Sequence, residues 1–84
     1  MELTISEKMV LIGRNIAHYR KACCLTQKEL AQKVGITSNF LSQIEHGRKS
    51  MSTMLFLLIE ETLGVQPNAL LMYGPLPSDK NSQA

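Results

Sequence analysis

The sequence has 84 residues, of which 44% are hydrophobic, 5% aromatic and 19% charged, and its formal net charge is +2. This length suffices for one small domain but not for two, and the apolar fraction is too high for a fully disordered chain. The longest apolar run, residues 54–59, is shorter than the roughly 20 residues of a membrane span. The opening residues lack the apolar stretch of a secretory signal, so a cytoplasmic protein is expected.

The charges are distributed unevenly along the chain. Eight of the nine Lys and Arg residues lie within residues 8–49, whereas only two of the seven Asp and Glu residues do. Residues 8–49 therefore carry +6 and the remainder carries −4. This asymmetry favours a domain that presents one side to a polyanion, although charges also cluster on solvated faces that bind nothing.

The first helix is predicted from apolar residues that recur at intervals of three and four. Thr4 and Glu7 have the spacing of a capping box at its start, in which each side chain bonds to the other residue's backbone N–H. The apolar pattern continues to about Ala22. We therefore expect a first helix of four to five turns that buries one face.

Two short helices follow. Thr26 and Glu29 repeat the capping-box pattern and start a second helix, and Gly35 stands where a helix end favours a left-handed residue. Thr37 is a good N-cap for a third helix, which is predicted to run to His46. The tight turn between them gives the pair the spacing of a helix-turn-helix, whose second helix can enter the DNA major groove.

The remaining elements complete an all-α domain. A fourth helix is predicted from Ser52 or Thr53 to Leu63, and a short fifth from Pro67 to about Met72. The prediction is one compact domain over residues 1–73. Residues 74–84 are rich in turn residues and are predicted to form a flexible tail.

The cysteines and histidines match neither a disulfide framework nor a metal site. Cys23 and Cys24 are adjacent, and neighbouring cysteines pair only with strain, so a reducing compartment is expected. His18 and His46 lack the spacing of metal ligands. No set of nucleophile, base and acid is evident, so we expect no enzymatic activity, no cofactor, no metal and no small-molecule ligand.

The third helix has two unlike sides on a helical wheel. Phe40, Leu41, Ile44 and the N-cap Thr37 fall on the inner side. Small or polar uncharged side chains fall on the outer side, namely Ser38, Asn39, Ser42, Gln43 and His46. Such a surface can hydrogen-bond to base edges without repelling the phosphates.

The central part of the chain resembles the helix-turn-helix of the lambda-repressor-like (Cro/CI, XRE) DNA-binding family. The residues that carry the resemblance are LTQKELAQKVGITSNFLSQIEHGRK, and the likeness extends from about Ile12 to Leu71. It implies a compact five-helix fold and a transcription regulator that binds a palindromic operator as a homodimer. Restriction–modification controller proteins and Cro-like phage repressors are the similar standalone proteins.

Candidate site residues follow from the wheel and from the resemblance. The candidates for base contacts are Thr37, Ser38, Asn39, Ser42 and Gln43. The candidates for phosphate contacts are Gln27, Lys28, Arg20, Arg48 and Lys49. Asn and Gln can pair bidentately with adenine, whereas a serine discriminates less and Ser42 could bond to its own helix instead. By resemblance, Gln27 holds a phosphate, and Arg20 and Glu45 form an ion pair that joins the first helix to the third.

The sequence departs from the family at three places. Cys24 stands where a glycine usually precedes Leu-Thr-Gln, which predicts a positive φ at a cost of about 1 kcal/mol. Glu60 replaces a small residue in the fourth helix. That helix also carries more apolar residues than one core face needs. The surplus is either covered within the monomer or forms a dimer interface, for which the predicted residues are Leu55, Leu58, Leu71, Met72 and Tyr73.

Three rival functions remain open at this point. An antitoxin would couple DNA binding to a toxin partner. A protein-interaction module would use the same fold without DNA. A thiol-sensing regulator would act through Cys23 and Cys24.

Overall fold

Five helices form the part of the chain that the computed structural model describes, residues 2–71. They are α1 (Ile5–Ala22), α2 (Gln27–Val34), α3 (Ser38–Glu45), α4 (Thr53–Leu63) and α5 (Pro67–Leu70). The predicted five-helix, all-α architecture is confirmed. α5 ends at Leu70 rather than near Met72, and the predicted domain boundary at residue 73 lies outside the described residues. Within residues 2–71 no helix combines the length and the apolarity needed to cross a membrane.

Side chains cap the helix starts as the sequence predicts. The Thr4 hydroxyl accepts from the Glu7 N–H at 3.0 Å, and the Glu7 carboxylate accepts from the Thr4 N–H at 2.8 Å. Thr26 and Glu29 form the same reciprocal pair. There, the hydrogen bond from the Thr26 backbone holds the pKa of Glu29 below its usual 4.5. Each cap contributes about 1 kcal/mol to helix stability.

The core lies where one face of each helix meets the others. The fully buried aliphatic side chains come from all five helices, namely Ile16, Leu30, Leu41, Ile44, Ile59 and Leu70. Burying a side chain of this kind stabilises the fold by about 1.5–3 kcal/mol. α1 packs on α3, α4 and α5, and α2 packs on α3 and α4, so α3 is held from two sides.

Leu55 is a core residue, which corrects its predicted place at a dimer interface. Its exposed fraction is 8%, and it belongs to the same core cluster as Ile59 and Leu63. Residues at i, i+4 and i+8 share one helix face, so this trio defines the buried side of α4. Phe56, the next residue along α4, is only partly buried against this core. Leu55 is therefore not available to a partner.

Cys24 adopts the left-handed conformation expected at the family's glycine position, with φ at 59°. We predict that Cys24→Gly raises the free energy of unfolding by about 0.5–1 kcal/mol, because glycine has no steric penalty there. Urea denaturation measures the change as a shift of the midpoint. Cys23→Gly is the control, since Cys23 has a φ of −86° and its thiol donates to the Leu63 carbonyl at 3.5 Å. That control is expected to be destabilised, and a stabilised Cys23→Gly would contradict the explanation.

Candidate nucleic-acid interface

The turn between α2 and α3 sets the angle at which α3 leaves the domain. Gly35 ends α2 in the left-handed conformation, with φ at 79°, and the Ile36 N–H donates to the Ala31 carbonyl at 2.9 Å. Ala31 is 1% exposed, and its small side chain lets the two helices approach closely. The predicted helix-turn-helix is therefore present in the fold.

A buried carboxylate joins the first three helices. Glu45, in the last turn of α3, accepts from the Arg20 guanidinium of α1 through two bonds, at 2.7 and 3.2 Å. The Gln27 amide of α2 donates to the same carboxylate at 2.8 Å. The predicted ion pair is confirmed, and it is 9% and 4% exposed at its two side chains. Two-bond arginine–carboxylate pairs fix orientation as well as distance, so the C-terminal end of α3 is clamped.

The same clamp holds most of the Arg20 guanidinium inside the protein. A third bond runs from Arg20 Nη1 to the Leu25 carbonyl at 2.8 Å, and the residue is 7% exposed. Its guanidinium therefore makes three hydrogen bonds inside the protein, and its phosphate contact stays a prediction. Gln27 is half-buried, and one of its amide N–H groups already serves Glu45. Its predicted phosphate contact must therefore use the other N–H of the Gln27 amide.

Two glycines bring α1 against the end of α3. A Cβ at Gly13 would stand 2.3 Å from the Ile44 carbonyl oxygen and 2.7 Å from that of Glu45. A Cβ at Gly47 would stand 2.7 Å from Val10 Cα. All three distances are far below van der Waals contact, so only glycine permits this approach. The periodicity of the first helix gave no indication of the contact, because its core face was inferred from apolar residues alone.

The outer side of α3 presents the predicted base-contacting residues. Ser38 and Asn39 are exposed, and Ser42 and Gln43 are half-buried. The side chains of Ser38, Asn39 and Gln43 make no hydrogen bond to any other residue within 2–71. Thr37 is exposed, and its hydroxyl caps α3 by accepting from the Phe40 N–H at 3.0 Å. This surface therefore offers free donors and acceptors on a helix whose ends are both fixed.

Exposed cations lie in the chain on either side of this surface. Lys28 is in the first turn of α2, and Arg48 and Lys49 follow α3 directly. The cap at the end of α3 was not anticipated from the sequence. An N–H at Nδ1 of His46 donates to the Ser42 carbonyl at 2.8 Å, and the His46 backbone N–H donates to the same oxygen at 3.1 Å. The turn that presents Arg48 therefore begins from a capped helix.

Comparison with known proteins points to the same family. A family model described as Helix-turn-helix matches residues 16–70. The chain is 46% identical over 55 residues to antitoxin PezA of Streptococcus pneumoniae, with 66% of this chain covered, but it spans only 35% of that protein's length. It is 33% identical over 55 residues to the uncharacterized HTH-type transcriptional regulator y4dJ of Sinorhizobium fredii, covering 66% of this chain and 71% of the relative.

A solved structure shares the fold over most of its length. The restriction–modification controller protein C.AhdI of Aeromonas hydrophila superposes with a TM-score of 0.73 at 25% sequence identity. The match covers 77% of this chain and 94% of C.AhdI. With the helix-turn-helix geometry described above and the family match over residues 16–70, the chain belongs to the XRE-type helix-turn-helix family of DNA-binding transcription regulators.

Proposed function

We propose that this protein is a sequence-specific transcription regulator that binds a palindromic operator as a homodimer in the cytoplasm. α3 enters the major groove, where Asn39 and Gln43 contact base edges together with Thr37, Ser38 and Ser42. Lys28, Arg48, Lys49 and the Gln27 amide bind the phosphates on either side. The proposal includes no enzymatic step.

The observation that carries the proposal is the contrast between the two sides of α3. Its inner side is held by the core and by the Glu45 clamp, whereas its outer side has polar groups without partners among residues 2–71. A preorganised helix loses little conformational entropy on binding. Its free amides can pair with adenine N6 and N7.

The central experiment is selection from random duplexes, followed by a salt titration of the best sequence. A pseudo-palindrome with half-sites about 10 bp apart is expected, since two-fold symmetric recognition helices lie one DNA turn apart. If a dimer neutralises roughly four to eight phosphates, log K falls against log salt with a slope of about −4 to −8. A protein-interaction module would show no duplex preferred over competitor DNA, and that result would refute the proposal.

Two substitutions separate base reading from phosphate binding. Asn39→Ala is expected to weaken operator binding by about 1–3 kcal/mol and to relax the preference at one base position. Lys49→Ala is expected to weaken binding to all sequences alike and to make the salt slope shallower by about 1 per contact. Titration of operator and scrambled duplexes measures both effects. Lys21→Ala serves as the control, because Lys21 is an exposed cation of α1 to which the proposal assigns no DNA contact. Equal losses on both duplexes for Asn39→Ala would contradict its base-reading role.

The proposed dimer surface lies on the exposed side of α4. Met54, Leu57 and Leu58 are 67%, 40% and 37% exposed, and their i, i+3, i+4 spacing makes them one continuous stripe. Leu71, another predicted interface residue, is 44% exposed, whereas Met72 and Tyr73 lie outside the described residues. An exposed apolar stripe of this kind marks a contact with a partner.

Leu58→Asp is expected to shift the protein from dimer to monomer without unfolding it. In the dimer the new carboxylate would be buried without a partner, whereas in the monomer it stays in contact with water. Sedimentation equilibrium measures the mass, and operator affinity is expected to fall at least tenfold as the two half-sites lose their linkage. Glu61→Asp, an exposed position on the same helix, is the control. A Leu58→Asp protein that remains dimeric would place the interface elsewhere.

An antitoxin is the second candidate, favoured by the 46% identity to antitoxin PezA. It predicts that the chain forms a stoichiometric complex with a toxin and that this complex binds DNA differently from the chain alone. Since the match covers 35% of PezA, it lies within one part of that protein. The chain is purified with and without a co-expressed candidate toxin, and each preparation is titrated with the operator. This comparison distinguishes the two candidates.

A further inference from the structure

An apolar groove lies between α1, α4 and the loop that follows α3. Its volume is about 280 Å³, and its walls include Met9 and Ile12 of α1, Met51 of the loop and Phe56 of α4. Leu71, the residue that follows α5, also lines it. The groove shares no residue with the base-contacting surface of α3 or with the exposed stripe on α4, so it is a separate feature of the domain.

The size and the walls of the groove suit a small apolar group. Met9, Ile12, Met51 and Phe56 are only partly buried, so their side chains can contact a ligand. An apolar cavity of roughly 150 Å³ stays dry and holds a benzene molecule, and this groove has nearly twice that volume. By the same proportion, it accommodates a ligand of about eight to eleven non-hydrogen atoms. Ligand sites between helices commonly combine such walls with a few polar groups that fix the orientation of the ligand.

The polar part of the lining is concentrated in residues 49–53, and its charge is positive. Lys49, which is exposed, is the one charged residue that lines the groove within residues 2–71. No acidic side chain from that part of the chain lines it. An anionic group in the groove is therefore attracted by a nearby charge, whereas a cationic group would be repelled.

The start of α4 adds a second group that favours an anion. Ser52 and Thr53, the N-cap and the first residue of this 11-residue helix, both line the groove. The Ser52 hydroxyl accepts from the Leu55 N–H at 3.1 Å, whereas the Thr53 N–H makes no hydrogen bond to any other residue within 2–71. Unpaired N–H groups and the helix dipole stabilise negative charge at a helix start. The groove therefore combines apolar walls with one polar, positively charged wall.

We propose that this groove binds a small amphipathic carboxylate, meaning an aliphatic or arylalkyl acid. Its carboxylate pairs with Lys49 beside the start of α4, and its chain lies along Met9, Ile12 and Phe56. The sequence led to the expectation of no small-molecule ligand. The groove departs from that expectation because its walls come from α1, α4 and the loop before α4, and spacing along the chain does not reveal that they meet.

The direct test is a titration of the full chain with sodium octanoate, followed by NMR with the methionine and isoleucine methyl groups labelled. Saturable shifts are expected at Met9, Ile12 and Met51, and none at Met54, which lies on the exposed stripe of α4. Shifts at Met54 as large as those in the groove would show nonspecific adsorption to apolar surface and would overturn the proposal. The absence of shifts at the groove residues would overturn it as well.

A ligand series and a matched variant test the role of charge. At about pH 7, 1-octanol is neutral and octylamine is a cation, and both are expected to bind at least threefold more weakly than octanoate. Lys49→Met keeps an unbranched side chain without the cation. It is expected to weaken octanoate binding by roughly threefold to tenfold and to leave octanol binding unchanged. Lys21→Met, at an exposed position outside the groove, is the control and is expected to bind octanoate normally. Octanol that binds as tightly as octanoate, or an unchanged Lys49→Met variant, would overturn the assignment of a carboxylate.

The position of Lys49 couples this site to operator binding, a consequence that rests on the proposed function. Octanoate and a DNA phosphate compete for the same ammonium group, so saturating octanoate is expected to weaken operator binding by roughly threefold to tenfold. The effect is expected to disappear in Lys49→Met. Octanoate that occupies the groove without changing operator affinity would overturn the coupling. Because the octanoate titrations use no DNA, failure of the groove as a binding site is distinct from failure of the proposed regulator function.

Discussion

Arg20→Ala is expected to lower the free energy of unfolding by about 3–5 kcal/mol, because it leaves the Glu45 carboxylate buried without its cation. Glu45 is 8% exposed and accepts two hydrogen bonds from Arg20. The substitution therefore removes the positive charge that balances the buried carboxylate. Small domains with a single core have about 3–5 kcal/mol of stability in total. We therefore expect a measurable unfolded fraction at 25 °C, seen by circular dichroism and by the urea midpoint.

A double substitution and an exposed control separate the effect of the ion pair from the effect of packing. Arg20→Met combined with Glu45→Leu removes both charges and is expected to be less destabilised than Arg20→Ala alone, since no unpaired ion remains. Arg14→Ala, at an exposed position of the same helix, is expected to change stability by less than about 0.5 kcal/mol. A double variant as unstable as the single one would show that packing, rather than the ion pair, explains the loss.

Gly13→Ala is expected to lower the free energy of unfolding by about 2–3 kcal/mol, although alanine is the better helix former by about 1 kcal/mol. The added methyl group would stand 2.3 Å from the Ile44 carbonyl oxygen, and backbone atoms cannot turn aside as a side chain can. α1 must move away from the end of α3, so operator affinity is expected to fall with stability. Thermal unfolding and operator titration measure the two effects.

The comparison that isolates the steric cause is Gly35→Ala. A Cβ at Gly35 would meet no other atom within 4 Å, so this position requires glycine only for its positive φ of 79°. Its replacement is expected to cost about 1–2 kcal/mol, the usual penalty of the left-handed conformation. If Gly13→Ala proved stabilising, as the helix propensity of alanine alone would give, then the close approach of α1 to α3 would be wrong.

Local rules made most of the fold predictable. Capping boxes at Thr4 and Thr26 and the glycine at position 35 act within one helical turn, so the sequence alone places these helix ends. Residues whose roles depend on packing were harder to predict. Leu55 is core because Ile59 and Leu63 share its face, and one helix cannot reveal which of its apolar faces will be covered.

In the candidate site, too, local features were predictable and contacts between helices were not. The polar side of α3 follows from the 3.6-residue period, and the Arg20–Glu45 pair followed from family resemblance. The link between Gln27 and Glu45 and the burial of Arg20 depend on the relative placement of three helices. Spacing along the chain does not encode that placement, so the sequence did not predict that Arg20 would be buried with three hydrogen bonds inside the protein.

The separation between the two sides of α3 has a consequence for how such a protein can diversify. Ser38, Asn39 and Gln43 contribute no side-chain hydrogen bond to the domain within residues 2–71, whereas the inner side and the clamp hold the helix in place. Substitutions at these three positions therefore carry little folding penalty. Under the proposed function, single mutations at these positions change the base sequence that is read while the scaffold is preserved, so duplicated copies can drift toward new operators without first acquiring extra stability.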